Sequence, residues 1–152
     1  MKNTLTVLFI AYFLNGLNAQ NSNPSYDSTL AKQLDADQYG MKMYVLVILK
    51  TGKNKTKNKH FIDSCFVGHL ENIRRLAELN QLTIAGPFGT NKSDFRGLFI
   101  LNVKTIEEAQ LLLETDPAIK EKLLRVELYP WYGSAAIPTY LENHDKIWKE
   151  NP

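Results

Sequence analysis

Two rhythms of apolar residues divide this chain into strands and helices. Met43–Leu49 (MYVLVIL) is a continuous, β-rich apolar run, which predicts a strand buried on both faces or against a partner. From Cys65 to Asn80 the rhythm changes. Phe66, His69, Leu70, Ile73, Leu76 and Ala77 recur at spacings of three and four, so a helix here sets them on one side and leaves Arg74, Arg75 and Glu78 to water. Leu82–Ala85 predicts a second strand stopped by Gly86-Pro87, Gly89–Phe95 a turn-rich connection, and Gly97–Val103 a third strand. Thr105 opens a second helix, because Glu108 stands three residues on to complete a capping box. Its inward side carries Ile106, Ala109, Gln110 and Leu113, with Leu112 at the edge. In Thr115-Asp116-Pro117 the carboxylate suits an N-cap and proline the first helical position, so a short helix follows to about Lys122. Leu124–Tyr129 is the last strand, closed by Pro130.

Strand, helix, strand, strand, helix, strand is the split βαβ order of an α+β, ferredoxin-like fold, βαββαβ, with helices on one face of an antiparallel sheet. The other face keeps apolar residues from each strand, and a domain of this size covers such a face by pairing with a second copy. At 152 residues the chain suits one such domain, over 41–137. Before it, Met1–Ala19 reads as a secretory signal peptide, with Lys2, the apolar run Leu5–Leu14 and a small residue ahead of a cut at Gln20. Residues 20–40 read as a flexible polar leader with room for a helical turn around Thr29–Leu34, and 138–152 as an aromatic tail that drapes over the domain or its partner. The expected location is therefore outside the cytoplasm, periplasmic or secreted, with no membrane contact once the leader is cut.

Charge narrows the partners. The formal balance is +2, or +1 without the first 19 residues, which gives no reason to invoke nucleic acid or an anionic membrane. Lys50–His60 (KTGKNKTKNKH) is a run with five lysines but no interleaved aromatic residue to stack a base, so it reads as a solvated loop. Asn54-Lys55-Thr56 and Asn91-Lys92-Ser93 match the glycosylation sequon and mark surface loops. Cys65 is the only cysteine, so an internal disulfide is impossible, and its apolar neighbour Phe66 favours an inert thiol.

No phosphate loop, dinucleotide fingerprint, zinc spacing or Ser-His-Asp signature is present, and neither a metal nor a cofactor is expected. His69 is the residue with chemistry to offer, because imidazole exchanges protons near neutral pH. A carboxylate beside one ring nitrogen fixes the tautomer and raises the basicity of the other nitrogen. Asp116 could supply it, or could serve only as a helix cap.

The ordered set His69-Leu70, Ala85-Gly86-Pro87-Phe88, Arg96-Gly97-Leu98, Glu107-Glu108-Ala109, Asp116-Pro117 and Pro130-Trp131 resembles the YCII-related domain family over Met43–Ile137. That resemblance implies a ferredoxin-like domain pairing into a dimeric α/β barrel, similar in fold to muconolactone isomerases, with a dehydrochlorinase among its members. It also implies His69 as acid/base and Asp116 as its orienter. Many members carry arginine three residues before the histidine, where this chain has Phe66. The expectation is an exported homodimer working on a small organic molecule by lyase or isomerase chemistry. Phe88, Arg96 and Trp131 are the candidate substrate-binding residues. The rival is a noncatalytic ligand-binding or structural dimer module.

Overall fold

The computed structural model describes residues 23–144 and 146–149. The expected signal peptide lies outside the described residues. A short helix α1 (Ser28–Gln33) precedes strand β1 (Met41–Thr51), helix α2 (Lys59–Glu78), strands β2 (Leu82–Pro87) and β3 (Phe95–Leu101), and helices α3 (Ile106–Leu113) and α4 (Pro117–Lys120). Strand β4 (Leu124–Ser134), a 3-10 turn (Ile137–Tyr140) and helix α5 (Leu141–His144) complete the chain.

The sheet order is β2-β3-β1-β4 with every neighbour antiparallel, so the α+β, ferredoxin-like arrangement expected from the sequence holds. Alternation along the strands sorts side chains between two faces. Val45, Val47 and Leu49 of β1, Phe99 and Leu101 of β3, Leu82 and Leu124 join Leu76, Ala109, Leu113 and Ala118 of the helices in one buried core. Tyr44, Leu46 and Ile48 take the opposite side, in register with Trp131, Tyr129 and Glu127 of β4.

Several expected boundaries move. Asn58 starts α2 well before Cys65, its side chain accepting from Phe61 N. The buried stripe of α2 is Cys65, His69, Asn72 and Leu76, one position round from the expected row. Phe66 and Leu70 are therefore exposed, at 36% and 52%. Gln110 also turns outward, while the capping box of Thr105 and Glu108 forms as expected. Pro130 does not end β4. The strand lies at the sheet edge, where a residue without an N–H can pair on one side and lose nothing on the other.

Two segments expected as loose leader and solvated loop are tied down. Residues 23–40 contain α1 at the expected helical turn, with Asp35 paired to Lys104 at 2.8 Å and Tyr132 donating to Asp37. Asp37 pushes the Tyr132 hydroxyl up to about 12. The lysine loop is strapped to the start of β4 by Gly52 N to Leu123 O at 2.8 Å and Asn54 N to Lys122 O at 2.9 Å. Only glycine fits this crossing, since a Cβ on Gly52 would stand 2.0 Å from the Lys122 carbonyl oxygen. Both sequon asparagines are engaged as well. Asn54 Nδ2 donates to Glu121 O, and Asn91 Nδ2 to Gly89 O and Phe95 O.

Candidate active site on α2 and α4

His69 sits mid-way along α2 on its buried stripe, and Asp116 is the N-cap of α4. The two elements pack together at Gly68, where a Cβ would come within 2.8 Å of Pro117 Cγ. That glycine notch lets the α4 N-terminus approach α2. Across it His69 Nδ1 and Asp116 Oδ2 meet at 2.5 Å, between residues 47 apart in sequence.

The carboxylate divides its work by atom. Oδ1 accepts from Ala118 N at 2.9 Å and Ile119 N at 3.3 Å, which caps α4, while Oδ2 takes the imidazole. The helix-cap contacts and the contact to the imidazole are thus made by different oxygens of Asp116. Asp116 is 1% exposed, so its position is fixed by three hydrogen bonds inside the protein.

The imidazole is sandwiched between aromatic rings. Phe99 of β3 lies nearly parallel to it at 5.9 Å, and Phe66 meets it edge-on at 6.0 Å. Among the described residues no side-chain nitrogen or oxygen is both fully buried and without a partner. His69 is 8% exposed, and no bond to its Nε2 is seen among the described residues. One ring nitrogen is held by a carboxylate and the other has no partner among the described residues, and an imidazole held in this way can carry a proton.

Cys65, one turn earlier on the same stripe, is buried, and burial first, then the negative charges of Glu121 and Asp116, pushes its thiol up. Its reactive thiolate is scarce at neutral pH, as expected for an inert cysteine.

The other candidate residues are elsewhere. Phe88 and Arg96 line a shallow hollow of about 260 Å³ at the β2–β3 hairpin, with Thr90, Asn91 and Asp94. His69 and Asp116 do not line it. Trp131 lies on the sheet face opposite the helices, in register with Tyr44 and 5.6 Å from its ring. The structure thus joins His69 with Asp116 and Phe88 with Arg96, and brings none of Phe88, Arg96 and Trp131 against the dyad. Gly68 and Phe99 were the residues that sequence reasoning missed. A glycine amid the strong helical pattern before a histidine was the available signal for Gly68; nothing local marks Phe99.

The described residues contain no cluster of three or more His, Cys, Asp or Glu able to hold a metal ion. None of their helices is long and apolar enough to cross a membrane.

In comparisons with known proteins, no family profile matches the chain and no curated protein matches it. Among solved structures it is similar to 5-chloro-2-hydroxyhydroquinone dehydrochlorinase of Burkholderia phenoliruptrix in complex with 2,5-dihydroxybenzoquinone, at 21% identity and a TM-score of 0.40, over 57% of this chain and 92% of that one. Numbers this low leave the fold to rest on the chain's own strand order and the site on its own geometry.

Proposed function

We propose that this chain is an exported, YCII-like homodimer that uses His69 and Asp116 for acid–base chemistry of the lyase or isomerase type on a small organic molecule. The observation that carries this reading is the 2.5 Å bond between His69 Nδ1 and Asp116 Oδ2, with no partner for Nε2 among the described residues. With Nδ1–H donated to Asp116, the neutral ring presents an unprotonated Nε2. That lone pair removes a proton beside a carbonyl group. The imidazolium formed is stabilised by the carboxylate and returns the proton to a neighbouring carbon, giving an isomer, or holds it while a leaving group departs, giving an elimination. Asp116 need not move, because Oδ1 stays on the two backbone N–H groups.

In this reading Phe88 and Arg96 form a separate recognition patch at the hairpin, and Trp131 belongs to the face a second copy covers. Deuterium uptake is the direct test. Small enolisable ketones and lactones are incubated with protein in D2O and their C–H signals followed by NMR. The expected result is uptake accelerated by the wild type and not by His69→Gln, with matching circular dichroism spectra. Equal uptake for both proteins removes the catalytic role. Amino-terminal sequencing of protein recovered from the medium or periplasm, beginning at Gln20, checks the export reading.

The placement of the hairpin hollow away from the dyad favours one alternative: a noncatalytic module in which the same bond is a strut between α2 and α4. A His69 ring that does not titrate across the neutral range, with Nε2 closed to solvent exchange, selects the strut.

A further inference from the structure

Beside the dyad lies a second polar junction between the same two elements. Asn72 is one turn beyond His69 on the buried stripe of α2, and Thr115 immediately precedes Asp116. Arg75 Nη2 donates to Asn72 Oδ1 at 2.7 Å and to Thr115 Oγ1 at 2.9 Å. Thr115 Oγ1 is also 2.9 Å from Asn72 Oδ1 and 2.6 Å from the Leu112 carbonyl oxygen, and its single proton goes to one of these. The three side chains close a triangle across the gap that His69 and Asp116 bridge.

We infer that Asn72, Arg75 and Thr115 are positioning residues that set the His69–Asp116 bond, by fixing the turn carrying Asp116 against the turn of α2 carrying His69. This rests on the acid–base reading above. The argument is one of leverage. The Asp116 side chain is short, and its Oδ1 is tied to α4, so Oδ2 reaches His69 only while the Thr115–Asp116 backbone keeps its distance from α2. On one side Pro117 against Gly68 sets that distance by contact. Contact prevents closer approach but does not prevent separation. The hydrogen-bonded triangle supplies the missing restraint, holding Thr115 to α2 from the other side. Asn72 is 8% exposed, so its carbonyl oxygen needs these donors for its own sake and water replaces them poorly. Arg75 reaches in from the exposed side of the helix and brings a charged donor, which makes the stronger kind of hydrogen bond.

The test reads the His69 ring itself and needs no substrate. In 15N-labelled protein the ring nitrogens report the tautomer, and the Nδ1 proton reports its exchange with water. Wild-type protein is expected to show Nδ1 protonated and slowly exchanging. Thr115→Val keeps the side-chain shape and removes the hydroxyl; Arg75→Gln changes an exposed residue. Each is expected to speed Nδ1–H exchange roughly three- to tenfold, the change in opening that loss of one net hydrogen bond gives. Thr115→Ser is expected to restore the wild-type rate. Asn72→Ala is expected to have the largest effect, and if it fails to fold the other two variants decide. Wild-type exchange in both Thr115→Val and Arg75→Gln overturns the inference while leaving the dyad standing, as does a Thr115→Ser protein exchanging as fast as Thr115→Val. A wild-type ring without a proton on Nδ1 overturns the dyad and the clamp together. A merely structural triangle lowers the unfolding midpoint without changing exchange at His69 below that transition.

Discussion

On the helix side of the sheet, polar groups are few, buried and paired, as His69 is with Asp116 between aromatic rings. On the opposite side the aromatic residues are larger and less enclosed. Tyr44 is wholly buried and its hydroxyl donates to Ser134 O at 2.9 Å, but Tyr129 is 49% exposed and Leu46, Ile48 and Leu98 are half-buried. The tail covers part of this side. After β4 the chain crosses to the other sheet edge, where the Tyr140 hydroxyl donates to Thr83 O at 2.5 Å. The difference teaches where each face gets its definition. The covered face is specified by directional bonds at fixed distances, so it can hold two groups for chemistry. The open face is specified by area, which suits association with another surface and makes a poor scaffold for aligning atoms.

That contrast breaks most visibly at Asp116. Asp116→Ala removes the α4 cap and leaves a buried imidazole nitrogen without its partner, so urea unfolding should show a loss of about 2–4 kcal/mol. Asp116→Asn keeps an oxygen for the cap but presents an amide to the ring. It should recover roughly half of that loss while shifting the His69 proton from Nδ1 to Nε2, seen in the ring nitrogen shifts. Equal stability for the alanine and asparagine variants would mean that the cap contributes little.

A matched pair of glycines sharpens the comparison at smaller scale. Gly68→Ala puts a methyl group 2.8 Å from Pro117 Cγ, in a helix–helix contact that cannot yield without separating α2 from α4. Alanine improves helix propensity by about 1 kcal/mol, yet overpacking of about 1–3 kcal/mol should win, and the His69–Asp116 bond should lengthen. Gly133→Ala puts its methyl even closer, 2.5 Å from the Trp131 ring, but that ring turns about two side-chain torsions and can shift, whereas the Pro117 ring is closed on its own backbone. Its cost should stay under about 1 kcal/mol despite the shorter contact. Thermal melts of the two variants give the comparison directly, and a larger loss for Gly133→Ala would show the open face to be the rigid one.

How much of this was legible beforehand follows the same division. The element order and the antiparallel sheet followed from periodicity and caps, because Thr105, Glu108, Asp116 and Pro117 act on their own neighbours. Hydrophobic periodicity predicts the stripe of α2 one position away from the buried one. Phe66 and Leu70 outweighed Cys65 and Asn72 in hydrophobicity, whereas packing selected the side that could place His69 over Phe99 and Asn72 opposite Thr115. The sequence predicts a stop at Pro130 because an edge position is a property of the sheet and is invisible in the strand itself. The residues alone leave Asp116 open between partner of His69 and helix cap, the family resemblance implies the pairing, and the structure supplies its distance. Strand alternation sends Trp131 to the face opposite the dyad, while Phe88 and Arg96 line the hairpin hollow, placements that depend on the sheet as a whole and not on their own neighbours in sequence.

The smallest expected effect is an alkaline one, and it touches both faces. Burial raises the Cys65 thiol on the covered face above its ordinary value of 9.0, and raises the Tyr44 hydroxyl on the other face above 10.0. For both groups the protonated form is the neutral one. Below the ordinary value both folded and unfolded chains hold the proton and the contribution to stability is complete. As pH rises past that value the unfolded chain releases its proton first, so stability falls until the folded group ionises as well. Cys65 therefore begins to weaken the fold at about pH 9, before Tyr44 does at about pH 10. In Cys65→Ala the decline between those values should become shallower, while Tyr44→Phe should change the slope only above the higher one. Urea unfolding across that range separates the two, and identical slopes for Cys65→Ala and wild type would place the thiol in contact with water.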